Sequence, residues 1–270
     1  MKPKEILVFG ATGQLGKNLL RKLTRNNYKV TAVTRNIHRK GYILKKTGNP
    51  GWINLIELKS FDHKRLNEIF KNKDICINLI GILNEKNKSS FHNIHCLLPK
   101  KLAELSKENK LKKFIHLSAL GVENALGSKY AASKLNGENE IKKLLKNYVI
   151  LKPSIIFSRD DSFTVKLFSM LKLLPVFPIY FGGKTIFHPI FVSDVCEIIE
   201  QVILKDIEEQ TIECIGPENI TFKEIIERLL KSIEKKRLLI PMPLPISKLI
   251  ASFFEKTMKN PLLTNDQLIL

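Results

Sequence analysis

Tyr130 and Lys134 stand four residues apart in Tyr130-Ala131-Ala132-Ser133-Lys134, a spacing that puts both on one face of a helix. A lysine ammonium beside a phenol favours the phenolate, and the same amine can hold a ribose hydroxyl. The tyrosine could then act as general acid or base toward a carbonyl or an alcohol. Ser118 ends an apolar segment upstream and is the candidate hydroxyl to orient the reacting group. A second set of residues carries no reactive side chain. Gly10, Gly13 and Gly16 follow the apolar run Ile6–Phe9, with Thr12, Gln14 and Leu15 between and beside them. Their chemistry is binding: glycines allow a tight bend, let backbone N–H groups approach a pyrophosphate, and let helix and strand pack closely. The helix that follows offers the phosphates its positive end. Taken alone, each motif has a plain alternative: a ligand-free turn, or two surface residues on an amphipathic helix.

The order of elements separates these readings. Ile6–Phe9 suits a strand buried on both faces, and Leu15, Leu19, Leu20 and Leu23 share one face of the next helix. Strands are expected at Lys29–Thr34, Ile53–Leu58, Asp74–Ile80, Lys113–Ser118 and Tyr148–Leu151, and helices at Phe91–Asn109 and Lys129–Lys146. Strands alternating with helices predict an α/β fold, a doubly wound parallel sheet of Rossmann type, with ligand at the carboxyl ends of the strands. The glycine turn and the tyrosine–lysine helix both fall at that end. Residues 1–154 are expected to form the dinucleotide-binding domain, and 155–270 a smaller C-terminal α/β lobe threaded partly back onto it. Within the lobe, helices are expected at Val192–Leu204 and Thr221–Ile233, the latter opening with a Thr221/Glu224 capping box. The apolar segment 246–258 is expected to cap the core; its other reading is a docking face for a partner or a membrane interface.

Composition narrows the partners. The 270 residues carry a formal charge of +19, yet only 8 of the 45 basic residues are arginine, and the lysines are scattered. No basic patch interleaved with aromatics appears, so nucleic acid is not an expected partner, whereas an acidic protein or an anionic membrane surface is compatible. The four cysteines, at 76, 96, 196 and 214, form no Cys-x-x-Cys pair and are expected to be reduced and buried. His92 and His95 stand three apart on an expected helix, where a surface pair and no metal site is expected. No run of about 18 apolar residues exists to span a bilayer. A first strand beginning by residue 5 predicts a chain without a leader, hence a cytoplasmic protein.

Arg35 follows the second strand, where an acidic residue would hold a ribose 2′-hydroxyl. A guanidinium suits a 2′-phosphate, so NADP(H) is expected over NAD(H), with NAD(H) the open alternative. Asn78, Leu79 and Gly81 end the fourth strand and can border the ribose and the bridging phosphates.

With these motifs in order, the chain resembles the short-chain dehydrogenase/reductase superfamily in its extended or atypical branch, over essentially its whole length. Phe114-Ile115-His116-Leu117-Ser118-Ala119-Leu120-Gly121 is similar to the segment that carries the active-site hydroxyl. Leu151-Lys152-Pro153 resembles the family's Leu-Arg-Pro strand and adds Pro153 to the cofactor-binding set. His188-Pro189-Ile190-Phe191-Val192-Ser193-Asp194-Val195 is similar to its Pro-x-x-Val-x-Asp-Val segment. Gly81-Ile82-Leu83, Gly216-Pro217-Glu218-Asn219-Ile220-Thr221-Phe222 and Pro261-Leu262-Leu263-Thr264-Asn265-Asp266-Gln267 resemble the nucleotide-binding accessory subunit of respiratory complex I and its bacterial relatives. That resemblance implies a structural NADPH, complex I subunits as partners, and a peripheral place on the cytoplasmic face of the inner membrane. The other reading is an active NADPH-dependent reductase, epimerase or dehydratase. Two departures bear on the choice. The active-site hydroxyl of extended enzymes often falls one residue past Ser118, at Ala119, and Lys59 stands where many relatives place an adenine-contacting aspartate. Loss of an oxyanion donor typically costs on the order of 100-fold in rate.

Overall fold

The computed structural model describes residues 3–85, 89–257, 264–266 and 268–269. Strand β1 (Glu5–Phe9) lies in the interior of a seven-stranded sheet, and its alternate side chains explain its unbroken apolar run. Ile6 and Val8 enter one buried cluster and Leu7 and Phe9 another, one on each face. Helix α1 (Gln14–Arg25) covers the first face through Leu15, Leu19, Leu20 and Leu23. Next come β2 (Lys29–Thr34), α2 (Ile37–Thr47), β3 (Ile53–Glu57), α3 (His63–Phe70) and β4 (Ile75–Asn78). Helix α3 closes the second face with Leu66, Ile69 and Phe70.

The expected long helix over 91–109 is two structures. A π-helical stretch, His92–Leu97, runs into α4 (Leu98–Glu108). Pro99 has no N–H to give the carbonyl four residues back, that of His95, so the turn widens there. Strand β5 (Lys113–Leu117), α5 (Lys129–Leu144) and β6 (Tyr148–Pro153) complete the pattern.

Beyond it lie β7 (Ile156–Phe157), α6 (Ser162–Leu173), β8 (Val176–Tyr180), β9 (Ile186–Phe187), β10 (Ile190–Phe191), α7 (Val192–Leu204), β11 (Gln210–Cys214), β12 (Ile220–Thr221), α8 (Phe222–Ser232), β13 (Leu238–Met242) and α9 (Leu244–Thr257). The capping box at Thr221 and Glu224 is formed. The large sheet has the order β11-β6-β5-β4-β1-β2-β3, and all its pairings are parallel. Strand order reverses between β1 and β4, which puts a crevice outside their carboxyl ends.

The chain re-enters this layer after residue 154. Helix α7 packs its Val195, Ile199, Val202 and Ile203 into the α1 cluster, and β11 extends the sheet beside β6. Lys113, buried at the start of β5, donates to the carbonyls of Val202 and Ile207 and fastens α7 to the sheet. A separate cluster of Leu167, Leu171, Phe177, Ile179, Ile226 and Leu230 forms the smaller lobe. Helix α9 corrects an expectation: Ser247 and Ala251 turn inward, but Leu244, Ile246, Leu249 and Phe253 are exposed. Among its described side chains the apolar face points outward and does not cap the core. Pro261–Leu263 and Gln267, part of the C-terminal motif, lie outside the described residues.

Helices α4 and α5 meet where the π-helical stretch brings its backbone close. A β-carbon on Gly137 would sit 1.9 Å from the His95 carbonyl oxygen. Substituting Gly137→Ala therefore forces the helices apart, and the expected loss is about 2 kcal/mol or more of unfolding free energy. Urea denaturation checks this as a lowered midpoint at unchanged slope.

Candidate functional site

The glycine turn is shaped by contacts that leave no room for side chains at Gly10 and Gly16. Gly10 has φ +81°, and a β-carbon on it would lie 2.9 Å from the carbonyl carbon of Leu79. One on Gly16 would lie 2.4 Å from the carbonyl oxygen of Gly10. Gly13 caps α1 with ordinary extended backbone, its N–H donating to Gly10 at 3.0 Å. No side chain caps the helix and no acidic residue stands in its first turn, so the first amides face outward uncompensated. Leu15 is buried and anchors the helix, and Thr12 is half-buried in the turn. Gln14 is turned aside: its Nε2 donates to the Ile156 carbonyl at 3.3 Å and to Ser158 Oγ at 3.0 Å, binding the loop after β7 to the start of α1. A pyrophosphate fits this arrangement, with the α1 amides as its donors.

Arg35 lies exposed at the end of β2 and makes no hydrogen bond or ion pair among the described residues. One carboxylate does stand close by, where the sequence suggested none. Glu57, level with Thr34 across β2 and β3, accepts the Ile37 N–H at 3.2 Å and lies 3.6 Å from Lys59. It is committed to the start of α2. A cleft of about 490 Å³ opens beside it, lined by His38, Glu57, Leu58, Lys59, Ser60 and Arg65, so cations outnumber the one acid.

Asn78 does not face the crevice. Its Oδ1 accepts the Ile80 N–H at 3.1 Å and its Nδ2 lies 3.1 Å from His116 Nδ1, so it shapes the turn instead. The Leu79 N–H donates to Phe9, which presses the turn against Gly10. Gly81 is exposed, and a β-carbon on it would come 3.5 Å from Lys134 Nζ. Pro153 is buried at the end of β6, its carbonyl accepting the Leu120 N–H at 3.0 Å.

Tyr130 and Lys134 share a face of α5, as their spacing requires, but their surroundings oppose charge. The Tyr130 ring lies edge-on to Phe91 and His95, with centroids 5.8 and 5.2 Å away. Burial, then the Asp266 carboxylate, pushes the phenol up to about 12. Lys134 donates to the Leu117 carbonyl at 2.9 Å, and burial lowers its amine to about 8 against the pull of Glu138. His95 is not a surface residue: it is buried, while His92 is exposed. Its Nε2 accepts the Ile82 N–H at 3.0 Å, and its Nδ1 lies 3.0 Å from Ser133 Oγ, which donates to the Tyr130 carbonyl. Nδ1 therefore carries the proton, and burial and the Lys134 cation hold the ring neutral with a pKa lowered to about 3. His116 is fully buried and held well below the usual imidazole range by the same causes; its Nε2 has no partner among the described residues.

Ser118 is placed otherwise than the sequence suggested. Its hydroxyl donates to Glu138 Oε1 at 2.5 Å, and Glu138, fully buried, lies 3.3 Å from Lys152, which pairs with Glu123 at 2.8 Å. The hydroxyl belongs to that charge network, and Ala119 follows it. The site thus combines an uncapped glycine turn with a protonated phenol, a lysine and a Ser118 hydroxyl that is already engaged. His95, His116, Glu138 and Asp266 were not foreseen. For His95 a signal existed: Phe91, His95, Leu98 and Leu102 follow a helical period with buried side chains. No cluster of three metal-ligating side chains occurs among the described residues, and no helix there is long and apolar enough to cross a membrane.

A parallel sheet with a glycine turn at its switch point and a tyrosine–lysine helix beside it defines a doubly wound α/β protein of Rossmann type. The chain belongs to the NAD dependent epimerase/dehydratase family, which its residues 6–214 match. It is 29% identical over 262 residues to the mitochondrial NADH-ubiquinone oxidoreductase 40 kDa subunit of Neurospora crassa, covering 97% of this chain and 68% of that one. To the mitochondrial NADH dehydrogenase (ubiquinone) 1 alpha subcomplex subunit 9 of Mus musculus it is 27% identical over 261 residues, covering 96% and 69%. Among solved structures, the UDP-glucuronic acid 4-epimerase of Bacillus cereus in complex with UDP-glucuronic acid and NAD superposes with a TM-score of 0.72 at 21% identity, over 88% of this chain and 86% of that one.

The lowered Lys134 amine has a consequence for stability. Between about pH 8 and pH 10.5 the unfolded chain binds the lysine proton more tightly than the folded one. Folding stability from this residue therefore rises with pH across that window. Lys134→Met removes the dependence. The stability of wild type relative to the variant should climb from pH 8 to pH 10.5 in denaturant titrations; a flat difference contradicts the burial of a strained ammonium.

Proposed function

We propose that this chain is an accessory subunit of a respiratory NADH:quinone oxidoreductase that holds NADPH as a structural cofactor. The observation that carries this reading is an open phosphate cradle beside a disarmed reactive pair. The glycine turn leaves the α1 amides uncapped, while Ser118 is bound to Glu138 and the phenol stays protonated. The names of the Neurospora and mouse relatives supply the assembly. Held in the cradle, a nucleotide adds stability, about 2.7 kcal/mol at a hundred times its dissociation constant. The exposed Arg35 guanidinium after β2 favours the 2′-phosphate of NADPH over the bare ribose of NADH. In this reading the protein is peripheral on the cytoplasmic face of the inner membrane, with complex I subunits as partners, and the basic surface and the outward apolar side of α9 face subunits or anionic lipid.

A second reading, an active NADPH-dependent reductase, epimerase or dehydratase, draws on the retained Tyr130–Lys134 geometry on α5. Purification from membranes under native conditions separates the two. The subunit reading predicts co-migration with the NADH:quinone oxidoreductase and one bound NADPH per chain. Steady NADPH oxidation with a carbonyl compound, abolished by Tyr130→Phe, would establish the enzyme instead. Arg35→Asp should weaken NADPH binding by about tenfold or more and leave NADH binding nearly unchanged. Calorimetry of both nucleotides checks this, and equal losses would remove Arg35 from the site.

A further inference from the structure

The N-terminus of α5 receives a carboxylate from the far end of the chain. Asp266 Oδ1 accepts the Lys129 N–H at 2.6 Å, and Oδ2 accepts the Tyr130 N–H at 3.1 Å and the Ser128 hydroxyl at 2.7 Å. Ser128 already caps the helix through the Ala131 N–H, so Asp266 adds a second cap from 136 to 138 residues away. The turn that bears it is fastened on both sides. Asn265 bonds Ser252 and Glu255 on α9, with distances of 2.8 to 2.9 Å. Leu268 is buried, and Ile269 lies 3.5 Å from where a β-carbon of Gly127 would be. The turn therefore joins α9 to the first residues of the tyrosine–lysine helix.

We propose that Asp266 is a positioning residue that clasps the C-terminal turn onto α5 and fixes Tyr130 as a hydrogen-bond donor in place of a base. One negative charge does both. It complements the helix dipole and the first amides, which steadies α5. It also opposes a second negative charge forming on the phenol of Tyr130, the residue whose N–H it accepts, an effect in the direction of the raised Tyr130 value. Of the other ionisable groups beside it among the described residues, His95, edge-on to the ring, is neutral, and Lys134, on the same helix face, has its amine engaged with the Leu117 carbonyl. The inference rests on reading Tyr130 and Lys134 as a holding pair, and it assigns that character to the chain's own terminus.

The test uses the full chain labelled with 3-fluorotyrosine and followed by 19F NMR against pH, with and without NADPH. The Tyr130 signal is identified by its loss in Tyr130→Phe. Asp266→Asn keeps an acceptor oxygen and removes the charge, so the Tyr130 midpoint should fall by about one pH unit. Tyr28, Tyr42, Tyr148 and Tyr180 should not move. Asn265→Ala loosens the turn from α9 while retaining the charge, and should shift Tyr130 the same way by less. An unmoved Tyr130 midpoint in both folded variants, or a common shift of all five signals, overturns the proposal. Because the free chain is titrated as well, failure to bind NADPH registers separately from failure of this contact.

Discussion

The first turn of α1 lies against the backbone of the loop that leads into it. With a β-carbon at Gly16 the Gly10 carbonyl would be displaced, and with one at Gly10 the β4 turn at Leu79 would be. These two contacts set where the helix begins relative to β1, and so where its uncapped amides point. Because strand order reverses between β1 and β4, that point is the crevice outside the carboxyl ends of the sheet. The Asn78 side chain, spent on the Ile80 amide, holds the β4 turn in place as the other wall. Everything proposed about a nucleotide depends on this backbone geometry and on no single reactive side chain.

The tyrosine–lysine pair sits beside that crevice in surroundings that disfavour ionisation. Removing a charged group from water is costly unless partners replace the water. Here Lys134 has one carbonyl acceptor among the described residues, His95 is neutral with both nitrogens satisfied by local partners, and the phenol meets aromatic edges under the influence of a carboxylate at its own backbone N–H. The nearby charges that are well paired belong to Glu138, Lys152 and Glu123, and they take the Ser118 hydroxyl with them. Holding a dinucleotide requires neither a free hydroxyl nor an ionised phenol.

Local pattern carried the parts of this structure that local forces decide. The β1 run, the three glycines and the leucines of α1 are a contiguous signal of strand, turn and helix, and Thr221 with Glu224 is a complete capping box within four residues. The Tyr130–Lys134 face followed from helix geometry alone. What escaped depends on contacts between distant segments. The widened turn at His95 comes from Pro99 together with a glycine on α5, and the return of β11 to the sheet is a pairing across some sixty residues with β6. The direction of Ser118 is settled by Glu138, twenty residues on, and the cap on α5 by Asp266 near the chain's end. Helix α9 shows the converse: an apolar sequence in which, among the described side chains, Ser247 and Ala251 are the deeply buried ones.

Gly13 offers the most direct measurement of the central claim. Its backbone is one that any residue adopts, a β-carbon there would press only on the Gly10 carbonyl oxygen, at 3.3 Å, and aspartate is a good helix cap, so Gly13→Asp should fold. Its carboxylate would occupy the α1 amides and repel a diphosphate. Titration calorimetry with NADPH should show one saturable site per wild-type chain and none in the folded variant. Equal affinity in the two proteins would mean that the nucleotide, if bound, is held elsewhere, and would contradict the account.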